Sequence, residues 1–296
     1  MNIDLHCHTN LSDGSLSPKE LVTLAHERNI DVLAITDHDN IDCHHQLSSL
    51  DTDLKLISGI EFSTTWRNMG VHIVGLNMDL SNKDLLAGID FQTKARGLRA
   101  NLIDEKLHNL GFENCLEGAK RFCGGKQVGR PHFAQHLVDI GAVNNIQQAF
   151  KRYLGAGKAG DIKQQWADLE TVISWIRGAG GNAVIAHPTK YNMTRTKLCG
   201  LIEDFIDFGG EAIEVISGAQ KADTTQSMAK LCNDYSLLAS CGSDFHAPGQ
   251  SWAALGMVAK LPESCQPVWA KWQQTQHSTR SNTAKTVVYL PFKSDF

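Results

Sequence analysis

An α/β fold of barrel type, interrupted by an all-helical insertion, is predicted from three observations. Short apolar runs alternate with helical stretches over residues 1–80 and again from 161 onward, the rhythm of βαβ units with a parallel or mostly parallel sheet. A chain of 296 residues accommodates one barrel of about 200 to 250 residues plus an insertion. Nine side chains, His6, His8, Asp13, His38, Glu61, His72, His187, Asp244 and His246, almost all follow an apolar run, and barrel enzymes build their sites at the C-terminal ends of strands.

The elements follow in order. Asn2 to His6 reads as a strand. Ser17-Pro18-Lys19-Glu20 then combines an N-cap serine, proline at the first helical position and a glutamate three residues after the cap, starting a helix that runs to about Arg28. Asp31 to Thr36 is an apolar strand ending at Asp37-His38, Leu54 to Ser58 leads to Glu61, and Val71 to Leu76 carries His72. From about Ser81 to Gly160 the apolar spacing turns helical, over Leu85 to Leu110 and Pro131 to Leu154, with Gly111, Gly124-Gly125 and Gly141 as punctuation. Alternation then resumes with helix Leu169 to Ala179, strand Asn182 to Ala186 before His187-Pro188, helix Leu198 to Phe208, strand Ala212 to Ile216, helix Thr225 to Tyr235 and strand Leu237 to Cys241. The division is thus 1–80 and 161–296 for the two barrel portions and 81–160 for the insertion. Gly155 to Gly160 spells a dinucleotide pattern without the βαβ context it needs, and reads as a loop closing the insertion.

Side chains alternate along a strand, so His6 and His8 share a face, as do Asp244 and His246, and each pair can grip one ion. Imidazole with carboxylate suits Zn, Mn or Fe, and carboxylates that can bridge favour a multinuclear centre. No Cys-x-x-Cys pair occurs among the eight cysteines, which fits reduced, packed thiols; Cys7, on the face opposite His6 and His8, is given a structural role. No apolar run approaches the roughly 20 residues of a membrane span and no signal-peptide pattern opens the chain, so a cytoplasmic protein without membrane partners is expected. A net charge of −4 argues against wrapping a long nucleic acid, although residues 81–160 hold twelve Lys and Arg against seven Asp and Glu.

Together, His6-Cys7-His8, Asp13-Gly14, Thr36-Asp37-His38, Gly59-Ile60-Glu61, Val71-His72, Ala186-His187-Pro188 and Gly242-Ser243-Asp244-Phe245-His246 resemble the PHP (polymerase and histidinol phosphatase) metal-dependent phosphoesterases. The resemblance implies a distorted (β/α)7 barrel and two to three divalent ions, Mn foremost, with Fe and Zn as alternatives. It assigns His6, His8, Glu61 and Asp244 to one ion, Glu61, His72 and His187 to a second, and Asp13, His38 and His246 to a third. Glu61, Asp13, His38, Asp244 and His246 are thereby also the expected catalytic set. With the Gly129-Arg130-Pro131-His132 segment, the insertion is similar to a bacterial subgroup of 3′,5′-nucleoside bisphosphate phosphatases and 5′ to 3′ exoribonucleases. That subgroup implies removal of the 3′-phosphate of pAp, release of 5′-mononucleotides from 5′-phosphorylated RNA, or both. The ions supply a nucleophile at neutral pH, so no protein nucleophile is required.

Arg130, between Gly129 and Pro131, is the candidate for the substrate phosphate remote from the metals, with His132 a second choice and a surface ion pair the plain alternative for Arg130. Asp37 and Asp39 flank His38. At least one, Asp37 foremost, is expected to orient a metal-bound imidazole, with helix capping the alternative for Asp39. Arg96, Arg99 and Lys126 are expected on solvated faces, and surface placement is expected for His26, His44, His45, His108, His136 and His277. Trp66 and Trp252 are either base-stacking platforms or ordinary packing. The rival readings are a phosphatase for another small phosphate monoester and a non-catalytic, metal-stabilised RNA-binding module.

Overall fold

A computed structural model describes residues 1–123, 127–162 and 165–272; Gly124, Gly125, Lys126 and His277 lie outside them. Strands β1 (Ile3–Asp4), β2 (Val32–Ala34) and β3 (Lys55–Ile57) form a parallel sheet in that order. Strands β4 (Gly59–Trp66), β5 (Met69–Leu76), β6 (Asn182–Ile185), β7 (Ala212–Ser217) and β8 (Leu238–Gly242) form a second sheet, again in sequence order. Within it β6, β7 and β8 run parallel, while β4–β5 and β5–β6 are antiparallel.

The mixed α/β class holds, but the strands make no closed barrel. The two sheets instead touch through isolated bridges, Cys7 to Phe245 and His38 to Glu61. Near the first bridge the Leu5 N–H reaches the Cys241 carbonyl at 3.1 Å and the Asp244 N–H reaches the His6 carbonyl at 2.8 Å. The antiparallel β4–β5 pair, absent from the sequence expectation, follows from its turn. Arg67 and Asn68 both take positive φ (44° and 62°), the backbone of a tight two-residue hairpin. Glu61 therefore lies inside a hairpin strand rather than after a parallel one.

Helix α1 (Pro18–Glu27) opens with the expected capping box, the Glu20 carboxylate accepting from the Ser17 N–H at 2.8 Å. After the short α2 (Asp42–Leu47) come the helices of the 81–160 segment: α3 (Lys83–His108), α4 (Cys115–Lys120), α5 (Arg130–Asp139) and α6 (Ile146–Ala149), which widens into a π turn over Phe150–Leu154. The later helices are α7 (Leu169–Gly178), α8 (Arg195–Asp207) and α9 (Ala222–Asp234). Ile103, Leu107, Phe133, Leu137 and Leu154 give the inserted helices a core of their own.

The first half of α3 belongs instead to the sheet layer. Leu85 joins the main core, and Gly88 lies so close under Trp175 that a Cβ there would stand 2.4 Å from the indole. Buried Gln92 bonds Asp39 at 2.9 Å and accepts from the Ala167 N–H at 3.2 Å. One continuous helix thus joins the core of the 81–160 helices to the sheet layer. No described helix is long and apolar enough to cross a membrane.

Candidate metal centre

Alternation around Cys7 sends the two neighbouring imidazoles one way and the thiol the other, where its Sγ meets the Ala34 carbonyl at 3.3 Å. Across the seam, a Cβ on Gly242 would fall 2.3 Å from the His6 Cβ, so only glycine lets β8 approach β1 this closely. The chain then leaves the strand through Asp244, at φ 54°, which swings its carboxylate toward the histidines. His187 also has a positive φ, of 27°. Strained backbone at two candidate ligands fits a functional site. Buried Asp4 pins this junction by accepting the Ser243 and Gly256 N–H groups, each at 2.8 Å.

All nine candidate ligands converge. His6 Nε2 and His8 Nε2 lie 3.2 Å apart, and Glu61 Oε2 is 3.3 Å from each. Asp244 Oδ1 is 3.5 Å from the first nitrogen and 3.2 Å from the second. Donors held about 2.0 to 2.2 Å from one ion stand about 3.3 to 3.6 Å apart along tetrahedral edges, close to the spacing within the His6, His8 and Glu61 triplet, with Asp244 set against its two histidines. The second Glu61 oxygen, Oε1, contacts His72 Nδ1 at 2.8 Å and His187 Nε2 at 2.9 Å. Asp13 faces His246 Nε2 at 3.3 Å and His38 Nε2 at 3.5 Å. Three donor groups fall within 4.8 Å: His6, His8, Glu61; His38, Glu61, His72; and His8, Asp13, His38, His246. Relative to the expected sets, His38 also pairs with Glu61, its Nδ1 3.0 Å from Oε2, and His8 also borders the Asp13 group.

Two further observations fit divalent cations here. Glu61 Oε2 and Asp13 Oδ1, both facing the donor groups, are buried without a hydrogen-bond partner, a cost of ~1 to 3 kcal/mol per polar atom that a bound cation removes. The charge balance agrees. Burial opposes ionisation of Glu61, Asp13 and Asp244, yet the surrounding imidazoles hold all three carboxyls well below their usual range. Burial likewise opposes a charged His6, but Glu214, Glu61 and Asp244 hold it well above its ordinary value; His8 is carried to about 10 the same way. His38 goes down, because there burial wins. Ionised carboxylates packed at this depth demand positive charge, which protons on His6 and His8 satisfy when no ion does.

Glu214 and Lys190 escaped the sequence reading. Glu214, 2% exposed on β7, bonds His6 Nδ1 at 2.6 Å and accepts the His187 N–H at 2.5 Å. That contact places the His6 proton on Nδ1 and leaves the Nε2 lone pair for an ion. The available signal was a lone acid inside the apolar strand Ala212 to Ile216. Lys190, in the short turn after His187-Pro188, pairs with Asp244; burial would lower its ammonium, but Asp244 raises it.

Asp37 does not orient His38. Its carboxylate binds the Thr9 N–H at 2.7 Å, the Thr9 hydroxyl at 2.6 Å and the Ser12 hydroxyl at 2.7 Å, tying down the loop that presents Asp13. Nor does Asp39 cap α2. It accepts from the Ser63 N–H at 2.9 Å and from Arg96 Nε at 2.7 Å.

Arg96 and Arg99 are not on solvated faces. With Arg130 they line a cavity of about 210 Å3 that Asp13, His38 and His72 also border. Arg96 is 10% exposed and bonds Ser63 Oγ at 3.0 Å, and both guanidiniums of α3 sit over Trp166, 5.1 Å from its ring. Burial, then the like charges of Arg130 and Arg96, push Arg99 down to about 9. Arg130 opens α5, in its first turn, and burial lowers it too. His132 also lines the cavity, but its Nδ1 accepts the Gly129 N–H at 2.9 Å, so that nitrogen serves the helix start. Arg99 and Arg130, both lowered by burial, stand beside Arg96, which Asp39 pairs, so the cavity gathers positive charge of the kind that attracts an anion.

Elsewhere, His44 and His136 prove buried rather than superficial, at 3% and 4% exposure, His44 Nε2 meeting the Gly59 carbonyl at 2.8 Å. Trp66 is core, its Nε1 bonded to Asp204 at 2.6 Å, whereas Trp252 is 62% exposed. All eight cysteines are free.

A cluster of imidazoles and carboxylates at strand ends, opening onto an arginine-lined cavity, defines a hydrolase of the metal-assisted, phosphate-handling class. The PHP domain model matches residues 4–181, and the chain belongs to that family. A 5′-3′ exoribonuclease of Haemophilus influenzae is 44% identical to it, over 91% of this chain and 98% of its own length. A 3′,5′-nucleoside bisphosphate phosphatase of Chromobacterium violaceum is 42% identical over 90% of this chain and 95% of its own. A solved structure from Chromobacterium violaceum, described as an amidohydrolase with bound sulfate and no metal, superposes with a TM-score of 0.85 at 41% identity, covering 92% of this chain and 95% of that one.

Proposed function

We propose that the protein is a metal-dependent phosphoesterase that grips a terminal 5′-phosphate and hydrolyses the ester at the 3′ oxygen of the same nucleotide. One observation carries the reading: Arg96, Arg99 and Arg130 line the same cavity as Asp13, His38 and His72. A nucleotide carrying phosphate at both ends matches that polarity. With pAp the products are AMP and phosphate; with 5′-phosphorylated RNA they are a 5′-mononucleotide and a shortened RNA that keeps the phosphate. The H. influenzae and C. violaceum relatives bear these two activities in their names, and the bond broken, phosphorus to 3′ oxygen, is the same in both.

Two to three divalent ions, Mn foremost with Fe or Zn as alternatives, are assigned to His6, His8, Glu61 and Asp244, to Glu61, His72 and His187, and to Asp13, His38 and His246. Such ions activate water at neutral pH and neutralise charge on phosphoryl oxygens. The chain's own groups do the rest. Glu214 holds His6 in its ligating tautomer, Asp37 fixes the Asp13 loop, Lys190 adds positive charge beside Asp244, and the arginines anchor the 5′-phosphate. We treat 81–160 as one inserted unit and the two sheets as parts of a distorted (β/α)7 barrel joined at their bridges. Free, mostly buried cysteines favour a cytoplasmic protein.

The test is product analysis of pAp and a 5′-phosphorylated RNA pentamer with Mn-loaded protein, beside the same molecules lacking the 5′-phosphate. AMP and 5′-mononucleotides formed only from the 5′-phosphorylated forms support the reading. Turnover of a generic phosphate monoester alone would leave only the broader phosphoesterase assignment.

A further inference from the structure

A second opening reaches the candidate metal centre. A groove of about 780 Å3 borders Asp244, His246 and Lys190, whereas the arginine cavity borders His38 and His72; Asp13, Pro131, His132 and Phe150 belong to both. Its surface is unlike that of the cavity. Trp252 (62% exposed), Phe122 (40%) and Ile146 (41%) line it as exposed large apolar side chains. Arg121, 63% exposed and paired with Asp139 at 3.2 Å, stands beside Phe122 at its edge.

We propose that this groove holds single-stranded RNA on the 3′ side of the scissile phosphodiester, with Trp252 and Phe122 stacking on its bases. The proposal rests on the phosphoesterase reading above and goes on to choose a polymer as substrate. Polarity carries the argument. With the 5′-phosphate seated among the arginines and the scissile phosphorus at the candidate metal centre, the groove bordered by Asp244 and His246 offers a continuing strand a way out on the other side of that centre. Free phosphate, the second product from pAp, needs no surface of aromatic side chains. Aromatic faces interleaved with cations suit single-stranded nucleic acid, because every base offers a π face and the backbone is anionic.

The test compares kcat/KM for a 5′-phosphorylated RNA pentamer with kcat/KM for pAp on the Mn-loaded protein, in wild type, Trp252→Ala, Trp252→Phe and Trp252→Ala with Phe122→Ala. The pentamer-to-pAp ratio should fall about tenfold in Trp252→Ala, further in the double variant, and recover most of its value in Trp252→Phe. Because each variant is read as a ratio, a general loss of folded enzyme cancels. A ratio within twofold of wild type in the double variant overturns the proposal. Wild-type protein that cleaves pAp but not the pentamer overturns it while sparing the phosphoesterase reading. Wild-type protein that cleaves neither removes both.

Discussion

Replacing Glu214 by Gln is the sharpest probe of how the centre is held. Both carboxylate oxygens accept hydrogen bonds, Oε1 from His6 Nδ1 at 2.6 Å and Oε2 from the His187 N–H at 2.5 Å. Glutamine has one acceptor and one donor, so its amide has to point N–H at one of those two donors. If it faces His6, the ring proton moves to Nε2 and enters the cage, 3.2 Å from His8 Nε2. If it faces His187, a buried backbone donor is orphaned at a strained residue. Either way one buried, charge-assisted bond is lost, ~1.5 to 3 kcal/mol, which is roughly 10- to 100-fold in metal affinity and matches the usual effect of groups behind a ligating histidine. The assay is competition for Mn or Zn against a calibrated chelator, with kcat measured at saturating metal and the melting of the metal-free variant as the folding control. Weakened affinity with kcat largely restored by excess metal is expected. Affinity within threefold of wild type would refute the assignment of Glu214 as the group that positions His6.

Other outcomes follow from the same geometry. Arg99→Met should raise KM for 5′-phosphorylated substrates about 10- to 100-fold while barely changing a substrate without that phosphate, and removing a buried like charge should leave its melting temperature equal or higher, readable by steady-state kinetics and calorimetry. Glu61→Gln takes charge from the carboxylate shared by two donor groups, so turnover should fall by at least about a thousandfold; retention of a tenth of the activity would contradict the sharing. Dialysis against chelator should lower the melting temperature, and Mn at 100 times its Kd should return ~2.7 kcal/mol, about 4 °C for a chain of this size; an unchanged melt would mean these imidazoles and carboxylates are not metal donors. Gly242→Ala, whose Cβ would collide with the His6 Cβ at 2.3 Å, should lose metal binding even where the protein stays soluble, as equilibrium dialysis would show.

Legibility in the sequence divided along a physical line. Local rules placed the α1 capping box, the strand-and-helix order and the His6/His8 alternation, because each depends on residues a few positions apart. The β4–β5 hairpin was missed because its turn, Arg67-Asn68, lacks the glycine that usually marks two consecutive residues with positive φ. Asp37 was read as serving its neighbour His38, whereas its partners Thr9 and Ser12 come from more than 20 residues earlier in the chain. Glu214 is 208 residues from His6, and no local pattern could have paired them.

The arginines show why composition misleads at a site. On an ordinary amphipathic helix the charged stripe faces water, and Arg96 and Arg99 were assigned to solvent on that rule. Gln92, Arg96 and Arg99 are spaced i, i+4 and i+7, so they form one stripe, and on α3 that stripe faces inward, with buried Gln92 and Arg96 both bonded to Asp39 and both arginines over Trp166. Meanwhile Phe91 and Leu98, 48% and 57% exposed, face out. The apolar positions of α3, Leu85, Ala95, Ile103 and Leu107, are buried as well, so a polar stretch is added to the inward face, and it is tolerated only where the charges meet a partner. Asp39 supplies one for Arg96, Asp161 lies 3.8 Å from Arg130, and Arg99 Nε donates to the Ile162 carbonyl at 2.8 Å. On the proposed function, the positive charge these partners leave uncompensated beside the cavity is what a substrate's 5′-phosphate neutralises, so the cost of burying the arginines would return as selectivity for the 5′-phosphorylated end.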